Sequence, residues 1–248
     1  LGLLARRHPG GSLSGVAQVN PLHVLATVPE DLERGEGALA AAVETDDEFL
    51  TEVASHLIVA GGKRVRPGFT IAAAAAALAT PAPASDEVVA GGVSVELVHL
   101  GSLYHDDVMD DAPTRRTVES VTARWGNLTA IPAGDYLLAR ASEIAAGLGT
   151  EVAGLLAATI ARLCEGQVRE IQDAYSVGRT EETYLRSIDG KTASLLATAC
   201  RIGGIVADLP RDHIDTLTDF GHGYGMAFQI VDDILDIVAT DEQLGKRA

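Results

Sequence analysis

Four aspartates fall within six residues of the stretch YHDDVMDDAPTRR, residues 104–116. The residues just before it, VSVELVHLGSL, are mostly apolar and predict a buried helix. Because residues four apart share a helix face, Asp106 and Asp110 should project together, with Asp107 close by. Like charges this close repel one another, and burial raises the cost, so the pattern predicts that a cation binds here.

A second acidic motif of the same form, D-D-x-x-D, occurs in FQIVDDILD as Asp232, Asp233 and Asp236. One copy alone could be an acidic turn on the surface. Two copies, each at the end of an apolar run, favour a metal site instead. Carboxylate oxygens suit Mg²⁺, which keeps water ligands and bridges to phosphates, so two such helices could hold magnesium ions around a diphosphate.

Basic residues supply counter-charges for such an anion. The turn GGKRVRP places Lys63 and Arg66 at a predicted helix start, where glycine permits close approach and the helix N-terminus favours an anion. A solvated basic turn is the alternative interpretation. His99 lies seven residues before Asp106 on the same helix face. Although a lone histidine is more often a core residue, this alignment favours contact with a ligand.

Composition limits the classes of function. The chain has 248 residues and a net charge of −16, which argues against nucleic acid and anionic membrane surfaces as partners. No run of about 18 apolar residues is present, so we do not expect stable membrane insertion. We expect the protein to be cytoplasmic. Helical periodicity runs through nearly the whole chain after residue 29, without alternation of period two. We predict a loose N-terminal segment, 1–28, and one all-α domain, 29–248.

Five segments together resemble the trans-isoprenyl diphosphate synthases, or polyprenyl synthetases, of the medium- and long-chain bacterial type. The segments, in order, are GGKRVRP, LVHLGSLYHDDVMDDAPTRR, GDYLLARA, GKTASLLATA and FQIVDDILD. The resemblance implies the isoprenoid synthase fold, a single-domain bundle of about ten or more helices around a deep central cavity. It also implies a homodimer with about three Mg²⁺ ions per site. Relatives continue for several helices past Lys246, so the domain is expected to lack its C-terminal helices.

The resemblance also implies a role for each matching residue. Magnesium would be held by the six aspartates Asp106, Asp107, Asp110, Asp232, Asp233 and Asp236. Isopentenyl diphosphate would be bound by Lys63, Arg66, His99 and Arg116. The allylic diphosphate would be gripped by Arg115, Lys191 and Lys246. Thr192 and Gln229 would offer dipoles near the allylic cation.

These roles predict a prenyltransferase that acts by ionisation, condensation and proton elimination. The allylic diphosphate departs, isopentenyl diphosphate attacks the resulting cation, and a proton leaves, with the released diphosphate as its acceptor because no side chain stands out as a base. One departure from the family pattern is Thr117, which stands where relatives carry glycine. A changed loop conformation is therefore expected there.

Small residues before Asp106 predict a long product. Ser102 and Gly101 lie four and five positions earlier, where short-chain relatives carry bulky aromatic residues, and Val98 and Val95 follow one turn further back. We expect a deep tunnel and an all-trans C30–C50 polyprenyl diphosphate. A C20 product, geranylgeranyl diphosphate, is the alternative if other helices supply a floor. A non-catalytic subunit of a heteromeric synthase and a terpene cyclase are the remoter alternatives, disfavoured by the six aspartates and by the second D-D-x-x-D.

Overall fold

The computed structural model describes residues 21–76, 78, 80–173 and 176–238. Lys246 and most of the predicted N-terminal segment lie outside these residues. Within them, Pro21–Val24 form a 3₁₀-helix and the first α-helix begins at Val28, which is fully buried. The boundary at residues 28 and 29 stays a prediction.

The described chain is almost wholly helical, which confirms the all-α prediction. Ten α-helices occur in the described residues: α1 Val28–Ala42, α2 Glu48–Val59, α3 Val65–Ala75, α4 Asp86–Met109, α5 Val121–Trp125, α6 Asn127–Gly147, α7 Thr150–Asp173, α8 Glu181–Ile188, α9 Ser194–Val206 and α10 Arg211–Val238. A π-helix, Asp189–Ala193, joins α8 to α9. Two short antiparallel strands, β1 Thr114–Arg115 and β2 Val118–Glu119, form a hairpin after α4.

Helix α4 is the centre of the fold and carries the first acidic motif at its C-terminal end. It begins at Asp86 because the Ser85 hydroxyl accepts a hydrogen bond from the Val88 amide, one of the N–H groups that a helix start leaves unpaired. It packs against α1, α3, α6 and α9, so most of its residues are buried. A helix surrounded in this way holds its last turn in a fixed place.

Close backbone approach fixes the position of α6 against α4. A Cβ added at Gly101 would lie 3.0 Å from the Gly134 carbonyl oxygen, and one at Gly134 would lie 2.5 Å from His105 Nε2. Later on α4, His105 Nε2 lies 3.1 Å from the Ile131 carbonyl oxygen, which is earlier on α6. The two helices are therefore antiparallel, and α6 descends into the core as its residue numbers rise. None of the described helices has the length and apolar content that crossing a membrane requires.

Candidate active site

A cavity of about 720 Å³ opens among α4, α6 and α7 and reaches the π-helix and α10. Charged and amide side chains line part of it: Arg66, Asp106, Asp110, Arg115, Asp135, Gln167, Lys191, Gln229 and Asp232. Apolar side chains line the remainder: Val98, Leu103, Val108, Met109, Ile131, Leu138, Ile160, Leu163, Val168 and Ile171. The cavity can therefore accept a ligand with an anionic head and an apolar tail.

The direction of the cavity follows from the helices that form its walls. On α4, Val98 lies eight residues before Asp106, which is about 12 Å along the axis. On α7, Ile160 lies ten residues before Glu170, whose carboxylate contacts Lys191. Because α6 is antiparallel to α4, Leu138 lies deeper than Ile131. Val98, Leu138 and Ile160 therefore mark the deep end, and the acidic motifs mark the mouth.

The first acidic motif divides into two parts. Asp106 and Asp110 line the cavity, as their spacing predicts. Asp107 is fully buried behind them, where its Oδ1 accepts hydrogen bonds from Arg115 Nε at 2.8 Å and Nη2 at 2.6 Å. Its Oδ2 is buried without a hydrogen-bond partner. In this arrangement Asp107 fixes the Arg115 guanidinium beside the cavity.

The second acidic motif lies on the last turns of α10. Asp232 lines the cavity, and Asp236 is exposed one turn further on. Asp233 is held by two donors, Gln229 Nε2 at 2.8 Å and the Tyr184 hydroxyl at 2.6 Å. Burial and this hydrogen bond to Asp233 raise the pKa of Tyr184 to about 12, so its hydroxyl remains a donor.

The π-helix presents Lys191 and Thr192 to the cavity. It passes so close to α7 that a Cβ at Gly166 would lie 2.7 Å from the Lys191 amide nitrogen. Lys191 Nζ contacts Glu170 at 2.5 Å, and the Thr192 hydroxyl donates to Gln229 Oε1 at 2.7 Å. Inserted π-turns of this kind are frequent at functional sites, because they re-aim a short run of side chains.

The charges at the mouth of the cavity indicate whether a divalent cation could bind there. Burial raises the pKa of Asp106, while Lys191 opposes that rise. A carboxylate in such a place gains from a cation. No three described histidine, cysteine or acidic side chains converge on a single point to hold a metal. Mg²⁺ does not require such a cage, because one or two carboxylates with water and phosphate ligands suffice, so Asp106, Asp110 and Asp232 fit it.

The basic residues of the turn GGKRVRP behave differently from one another. Arg66 lines the cavity, and its Nε is buried without a hydrogen-bond partner. His99 lines the cavity beside it. Burial, followed by the field of Arg66, lowers the pKa of His99 well below 6.5. Lys63 is exposed and does not belong to the cavity wall.

The β1–β2 hairpin sends two neighbouring arginines in different directions. Its loop residues, Arg116 and Thr117, both have positive φ, 52° and 69°. Arg115 turns to Asp107, whereas Arg116 Nη1 donates to the Leu57 carbonyl at 3.0 Å and to that of Gly61. The changed loop conformation expected at Thr117 stays a prediction. In this structure the turn is strained, because a two-residue loop of this shape favours glycine or asparagine and a β-branched residue resists positive φ.

Of the four residues expected to set product length, two line the cavity and two do not. Ser102 and Val98 line the cavity. The expectation for Gly101 needs correction, because it faces α6 and lies against Gly134 and Leu138. Val95 is fully buried in the core below the cavity and does not border it. The small size of Gly101 serves helix packing, and Leu138 takes the position on the wall.

Several residues of the site were not singled out by the sequence. Glu170 and Gln167 on α7 lie at the mouth, Tyr184 holds Asp233, and Glu96 lies buried below the basic turn. A single polar residue in a helix gives no signal by itself. Glu96 could have been recognised from the sequence as a candidate, because it is a carboxylate within an apolar run.

Comparison with known proteins agrees with this geometry. A family model described as polyprenyl synthetase matches residues 47–248. The chain is 44% identical over 225 residues to heptaprenyl diphosphate synthase component 2 of Geobacillus stearothermophilus, covering 90% of this chain and 67% of the relative. It is 39% identical over 236 residues to nonaprenyl diphosphate synthase of Mycobacterium tuberculosis, covering 89% of this chain and 70% of the relative. The chain thus spans about two thirds of the length of these relatives.

A solved structure has the same architecture. Polyprenyl synthase from Caulobacter crescentus CB15, complexed with calcium and isoprenyl diphosphate, matches with a TM-score of 0.85 and 32% identity, over 94% of this chain and 70% of that one. The family match and the fold match each cover most of the sequence. This chain belongs to the polyprenyl synthetase family of trans-prenyl diphosphate synthases.

Proposed function

We propose that this chain condenses an allylic diphosphate with isopentenyl diphosphate, in a magnesium-dependent reaction, to make an all-trans polyprenyl diphosphate of C30–C50. The observation that carries the proposal is the polarity of one cavity, with carboxylates and cations at its mouth and apolar side chains along its depth. The similarity to heptaprenyl and nonaprenyl synthases supports a product in this range.

The proposed allylic half of the site lies between α4 and α10. Asp106, Asp110 and Asp232 would hold Mg²⁺, with Asp233 and Asp236 adjacent on α10 and Asp107 placing Arg115. The metal, when bound, supplies positive charge to the diphosphate oxygens. Lys191 and Arg115 border the same space, so their charges stabilise the negative charge that develops as the diphosphate departs.

The proposed environment of the allylic cation is polar on one side and dry on the other. The Thr192 hydroxyl and the Gln229 amide oxygen face each other at 2.7 Å, and both residues line the cavity. They offer dipoles without a strong nucleophile. Apolar side chains such as Leu103 and Leu163 exclude water from the reacting carbons.

The proposed isopentenyl half lies next to Arg66 and His99, which line the same cavity as the acidic motifs. Arg66 lines the cavity and its Nε makes no hydrogen bond within the protein, so the guanidinium can donate hydrogen bonds to diphosphate oxygens. Lys63 would complete the site from the exposed turn. Arg116 supports it from behind, where its guanidinium lies against Gly62.

The deep end of the cavity bears on product length. Val98 and Ser102 are small enough to leave a path along α4. Leu138 and Ile160 are larger and face the same space, so a C20 product is the alternative that the geometry supports. The test is an assay of the purified protein with radiolabelled isopentenyl diphosphate, an allylic primer and Mg²⁺, followed by chromatography of the dephosphorylated products. No incorporation of label would refute the activity, and a product that stops at C15 would refute the long-chain assignment.

We also propose that the chain works as a homodimer in the cytoplasm with about three Mg²⁺ ions per site. The exposed apolar side chains Phe220, Phe228 and Val231 on α10 are compatible with burial against other protein. The Geobacillus relative is named a component 2, so a partner of a second kind is the alternative. Light scattering at micromolar concentration distinguishes a dimer of this chain from a monomer that needs another subunit.

A further inference from the structure

Glu96 is a buried carboxylate on α4 that plays no part in the cavity wall. It is 2% exposed, in the middle of a helix whose neighbouring residues are apolar. Its Oε1 lies 2.9 Å from Arg64 Nη1 and 3.8 Å from Arg116 Nη2. A carboxylate this deep is stable only when its charge is paired, so Glu96 depends on these two guanidiniums and they depend on it.

The two arginines that Glu96 holds come from different parts of the chain. Arg64 belongs to the basic turn, has a left-handed backbone with φ of 46°, and is 6% exposed. Arg116 belongs to the hairpin and also has positive φ. Glu36 on α1 contacts Arg64 through both carboxylate oxygens, but it acts on Arg116 only through its field and forms no salt bridge with it. Glu96 is thus the carboxylate that joins the turn to the hairpin.

Arg66 forms no salt bridge with Glu96, but the charge of Glu96 acts on it. It lines the cavity, whereas Arg64 and Arg116 do not, and its Nε is buried without a hydrogen-bond partner. Burial lowers the pKa of Arg66, and the charge of Glu96 opposes that decrease while Arg116 adds to it. The charge of Glu96 therefore offsets part of the repulsion between Arg66 and Arg116, and Arg66 borders the cavity where a ligand would bind.

We propose that Glu96 is a positioning residue for the isopentenyl diphosphate half of the site, because it fixes Arg64 and Arg116 so that Arg66 meets the diphosphate in a prearranged place. This inference rests on the proposed function. Prearranged donors bind an anion more tightly because little ordering remains to be done on binding. If Glu96 acted only through its charge, removing it would instead tighten the binding of an anion.

The test compares Glu96→Gln with Glu36→Gln, which removes the other carboxylate on Arg64 and leaves the link to Arg116. We expect Glu96→Gln to raise the KM for isopentenyl diphosphate about tenfold and to change the KM for the allylic substrate less than about twofold. Glu36→Gln should change both less than about threefold. Equal changes in both constants, or equal effects of the two variants, would overturn the proposal.

A second readout needs no turnover. Isopentenyl diphosphate alone, in EDTA, should raise the melting temperature of the wild type, because the proposed site for it is built from the basic side chains of Arg66 and Lys63 and does not use the metal. We expect a smaller increase for Glu96→Gln at the same ligand concentration. An increase equal to that of the wild type, or larger, contradicts the positioning role even if the variant is less stable overall.

A third variant covers the case in which Glu96→Gln does not fold. Glu96→Asp keeps the charge but withdraws it by about one bond length from the guanidiniums. We expect it to fold and to bind isopentenyl diphosphate several-fold more weakly, and binding equal to the wild type would refute the proposal. Failure of the proposed function would show differently, as a wild-type protein without condensation activity.

Discussion

Arg115 and Arg116 are neighbours in the sequence, yet their guanidiniums bind different parts of the protein. Arg115 binds Asp107 beside the acidic mouth, and Arg116 binds the Leu57 and Gly61 carbonyls behind the basic turn. The hairpin loop makes this divergence possible, since Arg116 and Thr117 both have positive φ. A single turn thereby links the two proposed diphosphate sites.

Thr117 should be replaceable with a gain in stability. Its φ of 69° is strained for a β-branched residue, and glycine accepts it freely. Glycine relieves the strain but also adds conformational entropy to the unfolded chain, which offsets part of the gain. The net effect of Thr117→Gly should be to raise the free energy of unfolding by about 0.5–1 kcal/mol. Urea denaturation measures this. Thr117→Ala keeps the Cβ and serves as the control, and a lower stability for the glycine variant than for the alanine one would contradict the strain.

Loss of a carboxylate at the mouth should abolish turnover. EDTA should remove the activity, Mg²⁺ should restore it, and Asp106→Asn or Asp232→Asn should reduce kcat about 10³-fold or more, the loss expected for a main electrostatic stabiliser. Steady-state kinetics measures the effect. The matched control is Asp111→Asn, an exposed position with φ of 47° that asparagine tolerates, and it should keep near-normal kcat. Near-normal turnover in either cavity variant would refute the metal site.

The basic side chains of the cavity wall should affect the KM for isopentenyl diphosphate more than the KM for the allylic diphosphate. Arg66→Gln should raise the KM for isopentenyl diphosphate at least about tenfold and the KM for the allylic diphosphate far less, because Arg66 lines the cavity beside His99 and makes no hydrogen bond or salt bridge to the acidic motifs. Lys63→Gln should act in the same direction but more weakly, since Lys63 is exposed. Initial rates measured while each substrate is varied decide the point. Parallel increases in both constants would show that Arg66 belongs to a shared site.

His99 should make stability fall in mild acid. Burial lowers its pKa well below 6.5, so the unfolded chain binds a proton near that pH while the folded protein does not. The unfolded state then holds more protons, and the free energy of unfolding decreases as the pH falls below about 6.5. His99→Gln should flatten the dependence on pH, measured by urea denaturation between about pH 5 and 7.5. The same slope in both proteins would contradict a neutral His99.

Product length should respond to the walls of the deep end. Ser102→Phe should narrow the cavity and shorten the product, while Leu138→Ala should lengthen it, both with condensation retained. Gly101→Ala serves as a control, because its Cβ would press on the Gly134 carbonyl and cost about 1–3 kcal/mol of stability without changing length. Chromatography of dephosphorylated products measures the outcome. Unchanged lengths in both cavity variants would refute a tunnel along α4.

Helical periodicity was sufficient to predict the all-α fold, and spacing was sufficient to place Asp106 and Asp110 on one face. Both properties depend on the chain's local geometry, which the order of residues specifies. The same reasoning failed for Gly101, since a position five residues from Asp106 can face either the cavity or α6, and only the crossing of α4 with α6 decides between them. Lys246 lies outside the described residues, so its role stays a prediction.

The sequence by itself determined the chemical inventory of this protein: two acidic motifs, a basic turn and apolar helices behind them, in the order typical of polyprenyl synthetases. Tertiary structure alone decided how that inventory is divided. In the folded protein Asp107 lies behind the mouth and binds Arg115, Asp233 accepts a hydrogen bond from Tyr184, and the buried Glu96 lies between Arg64 and Arg116. These pairings join residues from separate helices and turns, and their energy depends on burial and distance, which no local pattern encodes.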